Sequence, residues 1–254
     1  MESFFKLKEN GTTVRTEILA GITTFMTMAY ILIVNPLTLE AAGMDFGGVF
    51  TATALASIIA TITMGLVANY PFALAPGMGL NAFFAYTVVL QMGYTWQTAL
   101  TAVLIEGLIF IGLTFLNVRE AIINSIPMNL KKAISVGIGL FIAFIGLANA
   151  GIVVQGATPV TLGDLSSPTV IVALIGLVVT GILLAKNVKG ALLFGIMLSA
   201  LVGIPLGVTP VPESIISAPP SLAKVAFQFD FGFLSDPKAL FDIVVVLFTF
   251  LMVD

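Results

Sequence analysis

The sequence predicts an all-α polytopic membrane protein, and three observations support that fold class. The chain of 254 residues is 59% hydrophobic and only 9% charged, whereas soluble domains carry about 25% charged residues. Its apolar runs reach the roughly 20 residues that a spanning helix needs, and they recur along the whole chain. The runs consist of Leu, Ile, Val, Ala, Gly and Phe without alternating polar residues, which favours helices over a β-barrel.

The composition also excludes several classes of function. The sequence contains neither Cys nor His, so disulfides, thiolate nucleophiles, His or Cys metal sites and a Ser-His-Asp triad are impossible. An enzyme would be left with a Ser-Lys pair or paired acids, and no Lys lies in the middle of a predicted span. The few basic residues are scattered and form no nucleic-acid-binding pattern. We therefore expect no enzyme, no cofactor, no metal and no nucleic-acid partner.

The apolar runs predict seven complete spans, a polar and proline-rich loop at residues 207–237, and the start of an eighth span at Lys238. Pro36 is expected to end the first span, because proline disfavours a helical residue before it. The predicted spans are residues 18–34, 48–68, 70–90, 96–116, 133–150, 170–185 and 191–206.

The distribution of basic residues predicts the orientation. Residues 1–16 form a short polar tail without the features of a cleavable signal. Eight of the ten Lys and Arg residues lie in this tail and in the two loops that share its side of the membrane. The positive-inside rule then places the N-terminus in the cytoplasm of a plasma (inner) membrane protein. The excess of basic residues on one side of the membrane holds only if residues 70–90 cross the membrane once.

The third span contains a break in the sequence "NYPFALAPGMGLNAFF", residues 69–84. Pro71 and Pro76 cannot donate helical hydrogen bonds, and glycine permits conformations that other residues resist. We expect an extended strand through residues 73–76, followed by a half-helix that starts near residues 79–81 and exposes N–H groups near the membrane centre. Asn81 would offer a donor and an acceptor there. The alternative is a proline-kinked structural helix that Asn81 caps.

Acidic residues within apolar spans are costly and usually functional. Asp254 ends the run "FTFLMVD" and would lie near mid-membrane if the helix continues. A desolvated carboxylic acid can carry a proton at neutral pH, so Asp254 is a candidate proton-coupling group. Glu106, at the centre of the fourth span, either couples protons or bridges helices as a protonated donor. Asp242 is expected at the interface.

The first span carries a partly polar stripe of hydroxyl residues. Their side chains either bond a neighbouring helix or contact a ligand. Thr27 and Phe25 are the candidate ligand contacts, because the Phe25 ring could stack on a planar molecule. The members of the stripe are Thr23, Thr24, Thr27 and Tyr30.

The sequence contains seven complete predicted spans and only the start of an eighth, which predicts that further spans belong to the fold. The eighth span stops after about 17 residues, so we expect a chain truncated within that helix. A second half that follows an odd number of spans begins on the opposite side of the membrane, which is how inverted repeats arise in transporters. The chain would then be the N-terminal half of a 7+7 inverted repeat.

Three long motifs identify a family resemblance. They are "EILAGITTFMTMAYILIVNP", "ANYPFALAPGMGLNAFFAYTVV" and "NLKKAISVGIGLFIAFIGL". Through them the chain resembles the AzgA-like branch of the nucleobase:cation symporters, the purine permeases. The resemblance implies fourteen spans in two inverted halves, with third and tenth spans that are part strand and part helix. It assigns spans 1–4 (residues 17–116) to a core domain and spans 5–7 (residues 117–206) to a gate domain, through which homodimers form.

The resemblance also implies a function and a site. Purine nucleobases (hypoxanthine, guanine or adenine) would be imported across the lipid bilayer by proton symport and bound at the third-span break. Asn81 matches the polar contact of the family, and Asp254 matches the first acid of its eighth-span motif. The backbone N–H groups near Gly79 and Leu80 would complete the purine contacts. The tenth-span acid is absent from this sequence.

Two alternatives to a purine symporter stay open. A transporter of the same fold for another solute, such as an anion, would need a basic residue near the half-helix ends. No Lys or Arg occurs within predicted spans 1–4, and the visible part of span 8 has none after Lys238 at its start. The other alternative is a fragment that does not transport.

Overall fold

The computed structural model describes residues 4–116, 127–156, 158, 160–211 and 217–253. Within them, two helices continue as π-helical segments, at Met64–Ala68 and Phe83–Gln91, and two 3₁₀ turns occur at Leu222–Lys224 and Gly232–Ser235. The strands β1 (Val153–Val154) and β2 (Thr161–Leu162) pair antiparallel. The described α-helices are α1 Val14–Met28, α2 Ile31–Glu40, α3 Phe46–Thr63, α4 Met78–Ala82, α5 Trp96–Phe115, α6 Met128–Asn149, α7 Pro168–Ala185, α8 Ala191–Gly203 and α9 Pro237–Val253.

Five helical stretches of the described residues are long and apolar enough to cross a membrane. They are Val14–Glu40, Phe46–Ala68, Trp96–Phe115, Met128–Asn149 and Pro168–Ala185, and shorter apolar helices occur at Met78–Gln91 and Ala191–Gly203. Large apolar side chains on these stretches are exposed, as expected of surfaces that face lipid; Phe115 is 83% exposed and Val67 80%. The prediction of a helical, multi-pass membrane protein is therefore confirmed.

The predicted bounds hold closely for the second, fourth and sixth spans, whereas the prediction for the first span is wrong. Pro36 does not end that span but lies inside α2, which continues to Glu40. The interruption falls earlier, in a turn at residues 29–30 between α1 and α2. Proline is tolerated within a membrane helix where neighbouring groups cover the freed backbone, and Pro36 is among the most deeply buried side chains.

The chain divides into two compact units. Unit 1 comprises Met1–Val34, Thr53–Pro76 and Phe144–Pro219, and unit 2 comprises Asn35–Ala52, Gly77–Ala143 and Pro220–Asp254. Both units are assembled from segments distant in sequence. The core and gate domains expected from the sequence stay predictions.

In unit 1, small residues allow α7 and α8 to approach closely. Gly176 faces the side chain of Ser199, and Gly195 faces the side chain of Thr180, so a Cβ at either glycine would collide with its neighbour. Helices in membranes commonly associate through such small residues, because van der Waals packing replaces the hydrophobic effect there.

The apolar core of unit 2 lies around α5, α9 and the π-helical segment Phe83–Gln91. Ala85 and Val88 of that segment are fully buried, as is Ile243 of α9. The rings of Phe83 and Phe250 meet edge to face with 5.5 Å between their centroids, a favourable geometry for an aromatic pair. This packing fixes the half-helix against its neighbours.

The loop that precedes α9 is attached to unit 2 by polar contacts. The hydroxyl of Thr98 donates to Asp230 Oδ2 over 3.0 Å, and the N–H of Asp230 donates to the hydroxyl of buried Thr101 over 2.8 Å. The two hydrogen bonds of Asp230 hold the loop on the end of α5.

Tyr94 lies near the same end of α5. Partial burial, and then a hydrogen bond to Asp242, raises the pKa of Tyr94 to about 12.

An ion pair holds the same loop on the N-terminus of α3. Lys224 Nζ lies 2.6 Å from Asp45 Oδ1, and Asp45 Oδ2 accepts the N–H of Gly48 over 2.9 Å. The Lys224 hydrogen bond, and then that of Gly48, hold the pKa of Asp45 below its ordinary value. The pair therefore stabilises the fold above the unfolded-state pKa, and the contribution is lost as pH falls through the lower folded-state pKa.

Asp45→Asn is expected to lower the thermal unfolding midpoint in detergent at neutral pH, because it removes the ion pair. The difference from the unchanged protein should shrink once the pH falls below the ordinary range of an aspartate. The sole tryptophan, Trp96, lies beside Gly43 and supplies the fluorescence signal. Glu40→Gln, at an exposed acid of the same unit, is the control. Equal midpoints for Asp45→Asn and Glu40→Gln at neutral pH would contradict the prediction.

Candidate functional site

The backbone of the segment predicted as the third span is interrupted where the sequence places its prolines and glycines. The preceding helix ends at Asn69, which adopts a left-handed conformation with φ of 54°, and residues 69–77 form neither helix nor strand. The half-helix then begins at Met78, one residue before the predicted start, and extends as a π-helix to Gln91. Residues 73–76 pair with no strand among the described residues, so the strand stays a prediction.

Part of the freed backbone in unit 1 is satisfied by a side chain of α3. The N–H of Leu74 donates to Thr61 Oγ1 over 3.0 Å, and the Thr61 hydroxyl is within 3.4 Å of the Leu74 carbonyl. Irregular backbone at membrane depth requires such partners. Nothing in the sequence singled out Thr61, since a threonine within an apolar run has no distinctive signal.

Unit 1 also contains a largely apolar cleft of about 550 Å³ between α1, α3 and residues 70–73. Phe25, a predicted ligand contact, lines the cleft and is 58% exposed. The hydroxyl of Thr27, the other predicted contact in this helix, donates to the Thr24 carbonyl over 2.8 Å. The cleft has a size typical of small-molecule sites, and the ligand roles of Phe25 and Thr27 stay predictions.

The start of the half-helix in unit 2 presents backbone donors. Its first internal hydrogen bond runs from the N–H of Asn81 to the carbonyl of Gly77 over 3.1 Å, and no side chain caps the helix at Gly77. The N–H groups of Gly79 and Leu80 precede that bond and have no partner within the helix. A helix start of this kind attracts acceptor atoms and negative charge.

The side chain of Asn81 is held by a residue that sequence reasoning missed. Asn81 Nδ2 donates a hydrogen bond to Asn35 Oδ1, and Asn35 of α2 is only 3% exposed. The two residues are 46 positions apart. An asparagine directly before a proline in an apolar run was the available signal, but it was assigned to the end of the first span.

Gly79 is a point of close contact with α6. A Cβ built on Gly79 would lie 2.7 Å from Cγ2 of Ile138, whereas a Cβ on Gly77 meets no described atom within 4 Å. An alanine at position 79 would therefore force the Ile138 side chain or the start of the half-helix to shift.

Of the two predicted acids, the described part of the structure includes Glu106 and does not include Asp254. Glu106 is 5% exposed and lies on the face of α5 that also buries Thr98 and Thr101. Asp254 lies outside the described residues, and the described part of α9 ends at Val253. Within the described ranges, no group of three or more acidic, His or Cys side chains is placed to hold a metal ion.

Comparison with known proteins identifies the family. The profile of the Xan_ur_permease family, described as a permease family, matches residues 15–253. The chain belongs to this family. The family and the relatives described below are permeases, that is, transport proteins and not enzymes.

Three relatives show how closely the permease matches individual members. The protein MJ0326 of Methanocaldococcus jannaschii is 53% identical over 91% of this chain and 53% of its own length. The guanine/hypoxanthine permease PbuG of Bacillus subtilis is 47% identical over 90% of this chain and 54% of its own. The adenine permease AdeP of Escherichia coli is 45% identical over 91% of this chain and 52% of its own length. The chain thus spans about half the length of the curated relatives that it matches.

Proposed function

We propose that this permease imports purine nucleobases by proton symport. The observation that carries the proposal is the start of the half-helix, where Asn81 and the N–H groups of Gly79 and Leu80 place donors and an acceptor in an apolar unit. Relatives named as guanine/hypoxanthine and adenine permeases, at 45–49% identity, support a purine as the ligand.

The chemistry of a purine suits this group of atoms. Its ring nitrogens without hydrogen and any oxo group accept hydrogen bonds, which the N–H groups of Gly79 and Leu80 supply. Its ring N–H groups and any exocyclic amine donate, and the carbonyl of Asn81 accepts. A carboxylate at Asp254 supplies a further acceptor. The planar, uncharged ring needs no basic residue, which agrees with the absence of Lys and Arg from the predicted span.

Two carboxylic acids are the proposed proton carriers. Asp254 takes up the proton that favours binding, and Glu106, buried within α5, participates in the coupling. Coupling requires that the protonated site bind purine better on one face of the membrane than on the other, since equal affinity for both states shifts no equilibrium.

The proposed architecture is the 7+7 inverted repeat, of which this chain supplies the first half, with a third span that is part strand. The N-terminus lies in the cytoplasm of a plasma-membrane protein, which dimerises through the gate domain. Relatives about twice as long as the aligned region support this arrangement, as do the odd number of predicted spans and the basic residues of the sequence.

Uptake of radiolabelled hypoxanthine, guanine and adenine tests the proposal, in cells without purine permeases of their own. The complete reading frame that contains this chain is compared with residues 1–254 alone, at an acidic and a neutral external pH. We expect saturable uptake by the complete frame, stronger at acidic pH and unaffected by excess uracil. Absence of purine uptake, or uptake independent of a proton gradient, would contradict the substrate or the coupling respectively. Uptake by residues 1–254 alone would contradict the need for a second half.

A further inference from the structure

The orientation of an asparagine amide decides what it can recognise. The group has two N–H donors on one side and a carbonyl acceptor on the other, and a rotation of 180° about its terminal bond exchanges them. A purine with a 6-oxo group and a neighbouring ring N–H presents an acceptor beside a donor, and adenine presents the reverse. An amide that discriminates between these two edges must be fixed in one orientation.

The structure contains a residue placed to fix Asn81. Asn35 Oδ1 accepts the hydrogen bond from Asn81 Nδ2, so the donor side of the Asn81 amide faces Asn35 and its carbonyl oxygen points away. A rotated Asn81 would bring two carbonyl oxygens together, and burying polar groups without a matched partner costs free energy. With the Asn35 amide in the orientation that the structure gives it, the pair therefore favours one orientation of Asn81 over the other.

Asn35 is itself firmly placed. It is 3% exposed, and the side chain of the following Pro36 is among the most deeply buried in the protein. Pro36 lacks an N–H and has a fixed φ, which limits the freedom of the backbone beside Asn35. The acceptor that Asn81 meets is thus carried by a rigid segment of α2.

We infer that Asn35 is a positioning residue that determines purine selectivity by orienting the Asn81 carboxamide. This role rests on the proposed purine contact of Asn81. One N–H of Asn81 is committed to Asn35, and the carbonyl with the remaining N–H forms the edge offered to the purine. Asn35 itself does not touch the ligand.

Four single variants of the complete reading frame test the inference. Asn35→Leu keeps a similar volume but removes the acceptor, and Asn35→Asp keeps an acceptor oxygen. Thr38→Val, one turn along α2 at another buried residue, is the matched control. Asn35→Ser, with a side chain too short to reach Asn81, replaces Asn35→Leu if the latter is absent from the membrane.

The readout is the ratio of the KM values for hypoxanthine and adenine, together with the thermal unfolding midpoint in detergent. Asn35→Leu is expected to change the ratio by about tenfold, the factor that corresponds to 1.4 kcal/mol. Asn35→Asp keeps an acceptor oxygen and Thr38→Val is the control, so both should keep the ratio within about twofold. A twofold change corresponds to less than about 1 kcal/mol.

A purely structural role would lower the unfolding midpoint and leave the KM ratio unchanged. An unchanged ratio in Asn35→Leu or Asn35→Ser, or an equal change in Thr38→Val, would overturn the inference. If the unchanged permease takes up neither purine, the proposed function fails instead, so the two failures are distinguishable.

Discussion

Replacing Gly79 by alanine is expected to lower purine uptake by the complete permease by at least about tenfold, a factor that corresponds to 1.4 kcal/mol. The added Cβ would lie 2.7 Å from Ile138 Cγ2, and overpacking of this kind typically costs about 1–3 kcal/mol. Ile138 is branched at Cβ and has few alternative rotamers in a helix. The first turn of the half-helix, with its N–H donors, would have to move away from α6.

Two further variants show whether the contact causes that loss. Gly77→Ala adds the same methyl group two residues earlier, where no described atom lies within 4 Å, and should transport normally. Gly79→Ala combined with Ile138→Ala removes the colliding methyl group and should recover most of the uptake. Uptake by Gly79→Ala at the unchanged rate would show that α6 yields to the methyl group. Failure of the double variant to recover would show that Gly79 is needed for another reason.

Glu106→Gln is expected to remove the dependence of purine uptake on external pH and to lower the rate at acidic pH by about tenfold or more, the equivalent of 1.4 kcal/mol. Glutamine has nearly the same shape and retains a hydrogen-bond donor, but it cannot gain or lose a proton. Glu106 is buried within α5, where it is 5% exposed. Acidic residues buried in membrane helices are costly and usually have a functional role.

The same variant decides between the two roles that the sequence left open for Glu106. A protonated Glu106 that only bridges helices is well imitated by glutamine, so uptake and its pH dependence would stay unchanged, contradicting the coupling role. Glu40→Gln, which alters an exposed acid at the end of α2, controls for the loss of one negative charge. Uptake is measured across a series of external pH values at constant membrane potential.

The sequence predicted those features that depend on a single segment. Membrane insertion follows from the hydropathy of each run, so the helices Phe46–Ala68, Trp96–Phe115 and Pro168–Ala185 lie within two residues of their predicted bounds. The break at residues 69–77 follows equally from local chemistry, because its prolines and glycines disfavour a helix wherever they occur. The rule that a proline ends a helix failed at Pro36, because this residue lies buried inside α2.

The sequence by itself therefore determined that the chain is a helical membrane protein with a break at residues 69–77 and an asparagine, Asn81, in the first turn of the helix that follows. Only the tertiary structure decided what holds that asparagine and which side chain lies against Gly79. Asn35 meets Asn81 across 46 residues, and Ile138 lies against Gly79 from another helix. Hydropathy and backbone preferences act on neighbours in the chain, whereas these contacts depend on how separate helices pack, which no single segment encodes.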